Sequence, residues 1–115
     1  MNIEHFIKYC ESKPHVSFDT PFGPDTLVFR VKGKIFALTG LDSADFTVNL
    51  KCDPQKSQEL RAMYEDIIPG YHMNKKHWNT VRFDGRVPVK LLKELIDHSY
   101  QLVYESLPLK LRKEL

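Results

Sequence analysis

The sequence predicts an α+β domain in which one antiparallel sheet carries its helices on one face. Three observations lead there. Phe46, Val48, Leu50 and Cys52 alternate with Thr47, Asn49 and Lys51, the period of a half-buried strand. Thr26–Val31 and Ile35–Thr39 are rich in β-branched and aromatic residues and flank the turn Lys32-Gly33-Lys34, as in a hairpin. Apolar stripes at helical spacing, Ile3/Phe6/Ile7/Cys10 and Leu91/Leu92/Leu95/Ile96/Ser99/Leu102/Val103, stand near the two ends. The 115 residues make a single domain, 1–115, large enough for a core without disulfides or metal.

The elements follow in order. Asn2 can cap the first helix, and Pro14 limits its far end. Residues 17–25 hold two prolines and a glycine and read as an ordered loop. The hairpin and the Phe46–Cys52 strand then form a three-stranded meander. Asp53 caps a second helix with Pro54 in its first position; Leu60, Met63, Tyr64 and Ile67 form its stripe, and Pro69-Gly70 ends it. Tyr71–Asn74 and Trp78–Phe83 read as a second strand pair around Lys75-Lys76-His77. Asp84-Gly85 closes that pair, Pro88 opens the long last helix, and Leu109–Leu115 reads as a frayed turn or short helix. The predicted order is α-β-β-β-α-β-β-α, with the helices packed on one face of the sheet.

Hydrophobic residues at 42% and charged residues at 28% exclude a disordered or collagen-like chain. No apolar run reaches the ~20 residues that cross a bilayer, and the start does not read as a signal peptide. Cys10 and Cys52, in no CxxC spacing, fit buried thiols of a reduced, cytoplasmic protein. The net charge is only +2, yet residues 67–93 carry six basic side chains against Asp84 alone. Clustered positive charge attracts phosphates.

Catalytic signatures are missing: there is no GxGxxG, P-loop, GxSxG, HExxH or EF-hand loop. Both cysteines fall on inward-facing positions, where a thiol is a poor nucleophile. The chain is therefore expected not to be an enzyme. His72 and His77 are the nearest histidine pair, but no third ligand stands beside them, so no metal and no cofactor are expected. The Trp78–Phe83 strand puts Val81 and Phe83 on the core side and Trp78, Thr80 and Arg82 on the other. A tryptophan among cations suits phosphate contact with stacking or groove insertion, or else covers the end of the core.

Three stretches resemble a known family: Pro21-Phe22-Gly23-Pro24-Asp25 running through the hairpin to Leu38, Tyr71-His72-Met73-Asn74-Lys75-Lys76-His77-Trp78-Asn79-Thr80-Val81, and Glu94-Leu95-Ile96-Asp97-His98-Ser99-Tyr100. Together, in order and over nearly the whole chain, they look like the MmcQ/YjbR family of small bacterial proteins. The resemblance implies a fold similar to CyaY, the bacterial frataxin. It also implies a DNA-binding role in which two β-hairpins act as wings. On this chain the wings are Arg30–Lys34 and Asn74–Trp78. The expected phosphate contacts are Lys32, Lys34, Lys75, Lys76 and Arg82, with His77 in the second wing and Trp78 and Asn79 nearer the bases. Specificity for sequence is expected to be low, since no recognition helix is evident.

The partner so expected is double-stranded DNA, bound by a monomer away from any membrane. The alternative is a protein-interaction or chaperone-like module that docks a partner on the sheet face around Trp78. A frataxin-like metal site would want an acidic ridge, and the first helix offers only Glu4 and Glu11 beside Lys8 and Lys13. A structural role competes for Asn79, His77 and His98; the first two can tie the hairpin to the Pro21–Asp25 loop.

Overall fold

In the computed structural model, which describes residues 1–113, the Asn2 side chain accepts the His5 N–H at 2.9 Å and so starts helix α1, Ile3–Glu11. Phe6 and Cys10 from its apolar stripe are fully buried. Strands β1 (Val16–Asp19), β2 (Thr26–Val31), β3 (Lys34–Gly40) and β4 (Thr47–Lys51) follow. The β2–β3 turn puts Lys32 and Gly33 at φ 49° and 87°. A turn with positive φ at both central residues matches the right-handed twist of its strands. Asp53 caps α2, Pro54–Met63, by accepting the Lys56 N–H, with Pro54 where a missing N–H costs nothing. Strands β5 (Ile67–Pro69) and β6 (Trp78–Arg82) lead to α3 (Val89–Glu105) and a short α4 (Leu109–Lys113).

The strands form one antiparallel sheet of six, in the order β1-β2-β3-β4-β6-β5. Its register defines two faces. Phe18, Phe29, Ala37, Leu50, Asn79 and Pro69 lie side by side across the six strands, and Leu27, Thr39, Val48, Val81 and Ile67 form a parallel row. The helices cover this side: α3 crosses β2, β3 and β4, α1 lies by β1, and α2 lies by β5. Asp19, Val28, Leu38, Asn49, Thr80 and Ile68 make the row that faces away from the helices.

Three sequence expectations change. Val16–Asp19, which overlaps the start of the expected 17–25 loop, is an edge strand paired to β2, so the meander has four strands. Helix α2 stops at Met63, where Tyr64 turns extended, rather than running to Pro69-Gly70. Ile67 belongs to β5 opposite Val81, and Met63 is 72% exposed. Tyr71–Asn74 is not a strand; β6 pairs instead with Ile67–Pro69, which lengthens the connecting loop to residues 70–77.

Four consecutive residues of α3 fasten these layers. Asp97 accepts from the Tyr9 hydroxyl at 2.7 Å and pairs with Lys13. His98 Nε2 accepts the Asp53 N–H at 3.1 Å. Ser99 Oγ donates to the Phe36 carbonyl at 2.6 Å and accepts the Lys51 N–H at 2.8 Å. Tyr100 donates its hydroxyl to the Pro14 carbonyl at 2.7 Å. This run is thereby assigned a structural role.

Candidate functional site

The antiparallel register decides which basic residues share a neighbourhood. Val31 pairs with Lys34 at the β2–β3 turn, Ala37 pairs with Leu50, and Lys51 at the end of β4 pairs with Trp78 at the start of β6. The β2–β3 turn and the 70–77 loop therefore lie at the same end of the sheet. Their centres are three strand spacings apart, about 14 Å.

The 70–77 loop is held in shape from within. Asn74 accepts the Lys76 N–H on its side chain at 2.9 Å, and its carbonyl accepts the His77 and Trp78 N–H groups at 3.2 and 3.0 Å. Such an Asx-type turn presents the residues between its ends. Lys75 reaches back to the Gly70 carbonyl at 3.1 Å, while Lys76 points outward and is exposed. Gly70 admits no side chain, since a Cβ there would lie 2.9 Å from that of Trp78. Trp78 and His77 are half-buried, and the His77 carbonyl accepts the Cys52 N–H at 2.8 Å, which fixes the loop to the start of α2.

Arg61, on α2, buttresses the loop. Its guanidinium donates to the Lys75 and Trp78 carbonyls at 2.6 and 3.3 Å, and to Asn79 Oδ1 at 2.7 Å. Asn79 in turn donates to Ser57 Oγ at 3.1 Å.

The structure thus places Lys32, Lys34, Lys75, Lys76, His77 and Trp78 together and adds Lys51 and Lys56. Lys34 leans toward the end of α3, with Nζ 3.5 Å from the Ser106 carbonyl. Lys51 and Lys56 escape a linear count of charge because they sit in the acidic amino-terminal part of the chain; only folding brings them to the lysine turns. Arg61 is equally hidden, since its partners are 14 to 18 positions further along.

Two expected contacts do not join this group. Asn79 is 2% exposed on the helix-covered face and spends its side chain on Arg61 and Ser57, so it does not reach the surface. Its tie is to α2 rather than to the Pro21–Asp25 loop. Arg82 lies at the far end of β6, four residues or about 13 Å from Trp78. There it pairs with Asp84 at 2.9 Å and Asp45 at 3.3 Å, and these carboxylates raise its pKa. The Phe46 N–H, donated to Asp84 at 3.1 Å, and Arg82 hold the Asp84 carboxyl below its ordinary range. Arg82 belongs to this opposite, acidic end.

Burial pushes the Cys10 thiol up to about 12 and raises that of Cys52 as well, which suits neither for nucleophilic chemistry. Among the described residues no group of three or more potential metal ligands converges, and no helix is long and apolar enough to cross a membrane.

Comparison with known proteins places this architecture. The YjbR family model matches residues 11–102. YbdF of Escherichia coli O157:H7 is 46% identical over 95 residues, covering 82% of this chain and 77% of the relative. YjbR of Escherichia coli K12 is 32% identical over 113 residues, covering 98% and 96%. The crystal structure of Deinococcus radiodurans protein DR2400, a DUF419 domain, superposes with a TM-score of 0.93 at 40% identity, covering 98% of this chain and 86% of that one. A Pseudomonas syringae protein superposes with a TM-score of 0.77 at 34% identity, covering 90% and 99%. The chain belongs to the YjbR family.

Proposed function

We propose that this protein is a non-catalytic, cytoplasmic module that binds double-stranded DNA through the lysine-bearing end of its sheet. The observation that carries the reading is the register, which sets the turn of Lys32 and Lys34 beside the loop of Lys75 and Lys76. Their separation of about 14 Å is comparable with the ~12 Å major groove, so each turn can rest on one of the backbones flanking a groove. Lys51 and Lys56 extend the positive surface, and half-buried Trp78 stands where a sugar or base edge would come near. Phosphate contacts of this kind give register and affinity without base preference. The same reading keeps the CyaY-like comparison for the fold, supported by an amino-terminal helix, one antiparallel sheet and a long helix across one face.

The test is a fluorescence-anisotropy titration of a labelled duplex at low and near-physiological salt. Salt-sensitive binding that Lys76→Gln weakens and Arg82→Gln leaves unchanged is the expected result. Absence of binding at low salt rejects the reading.

One feature favours a second partner class. On the outward-facing side of the sheet that also carries Trp78, Ile68 is 48% exposed. A protein docking on this face would depend on Trp78 and be indifferent to Lys34 and Lys76.

A further inference from the structure

A groove of about 660 Å³ stands apart from the lysine turns, between α1 and the first turns of α3. Its lining includes His5, Lys8, Tyr9 and Ser12 from one stripe of α1 and Val89 and Lys93 from α3, with Met1 and Asn2 at one end. Its volume falls in the range of small-molecule sites, roughly 300–1,000 Å³. Because α3 starts just after the acidic end and finishes beside Lys34, this groove lies toward the end away from the proposed DNA surface.

The groove combines an aromatic wall with unmatched positive charge. Lys13 and Lys93 hold their ammonium groups 5.1 and 5.5 Å from the centroid of the Tyr9 ring. Lys13 is matched by Asp97, which also accepts from the Tyr9 hydroxyl. That double contact fixes the ring, and burial together with Asp97 raises the Tyr9 hydroxyl to about 12, so Tyr9 adds no negative charge. Among the described residues, Lys8 and Lys93 make no ion pair. Glu4, Glu11 and Glu94 belong to the same helices but do not line the groove. A fixed ring in a groove that also holds Lys93, beside the ring, and Lys8, neither of them in an ion pair, is complementary to a ligand with a flat apolar body and an anionic head.

We propose that the α1–α3 groove is a binding site for a small aromatic phosphate, with the ring against Tyr9 and Val89 and the phosphate between Lys8 and Lys93. The inference does not depend on the DNA reading. The test is an amide-resolved NMR titration of the full chain with 4-nitrophenyl phosphate, with inorganic phosphate and an acidic peptide as parallel probes. Saturable shifts at His5, Tyr9 and Lys93 are expected, with inorganic phosphate weaker by about tenfold because it lacks the ring. Lys8→Gln/Lys93→Gln should weaken binding by about tenfold or more, while Lys34→Gln/Lys76→Gln leaves it unchanged. Shifts that do not saturate, that centre on the lysine turns, that survive the Lys8/Lys93 double substitution, or that appear only with the acidic peptide overturn the proposal.

Discussion

Arg61 on α2 donates from Nε to Oδ1 of Asn79 on β6 at 2.7 Å, and the same guanidinium holds the carbonyls of Lys75 and Trp78. One side chain thus joins a helix, a strand and the loop that carries the second pair of lysines. Asn79 supplies the matching amide geometry, accepting from Arg61 and donating to buried Ser57.

Removing Asn79 leaves a guanidinium and a buried hydroxyl short of a partner. Asn79→Ala is expected to destabilise the fold by about 2 kcal/mol. Urea denaturation checks this as a lower midpoint with an unchanged slope. A midpoint within error of wild type would mean that the amide is not structural.

Ser99 serves two backbone groups at once, the Phe36 carbonyl and the Lys51 N–H, and is fully buried. The β3–β4 pairing stops at Ala37 and Leu50, so this hydroxyl bridges the next two backbone groups, which the ladder leaves apart. Ser99→Ala should cost about 2 kcal/mol or more, since both groups lose their partner away from water. Ser99→Thr keeps the hydroxyl and separates the hydrogen bonds from packing. Thermal unfolding of the two variants reads the difference.

The histidine in the same run gives the stability a pH dependence. Burial, with Lys56 acting in the same direction, lowers the His98 pKa from its ordinary 6.5, against the opposing pull of Asp53 and Glu105. A lowered value fits an unprotonated Nε2 that accepts from Asp53. The unfolded chain therefore takes up the proton first. The contribution is fully present above the ordinary value, declines as pH falls below it, and is lost once pH passes the lowered value of the folded state. His98→Gln, which does not titrate, should flatten the fall in stability as pH drops below the ordinary histidine value of 6.5. Parallel pH profiles for wild type and His98→Gln would contradict this.

Much of the fold was legible because periodicity and punctuation agreed. Asn2, Asp53 and Pro54 mark helix starts where helices start, and the alternation of Phe46–Cys52 marks a strand whose inward residues Val48 and Leu50 are buried. β1 was hidden because its four residues are mostly exposed and prolines follow, so its pairing to β2 comes from tertiary contact rather than from pattern. Ile67 misled because it keeps helical spacing from Leu60 and Tyr64 while lying in a strand opposite Val81. The parity of β6 correctly put Trp78 and Arg82 on the outer face, but parity says nothing of position along the strand. The carboxylates of Asp45 and Asp84 take Arg82 out of the lysine group. Arg61, Lys51 and Lys56 carried no local signal, because their importance arises from residues that are distant in the chain.

The most direct test of the two-turn account is the salt dependence of duplex binding for wild type, Lys34→Gln, Lys76→Gln and the double variant. Each lost phosphate contact should lower the magnitude of the log–log salt slope by about 0.9, and the double variant by about 1.8. Equal, additive losses from the two turns are the result the account expects. A slope that is unchanged in either single variant would contradict the claim that both turns grip the same duplex.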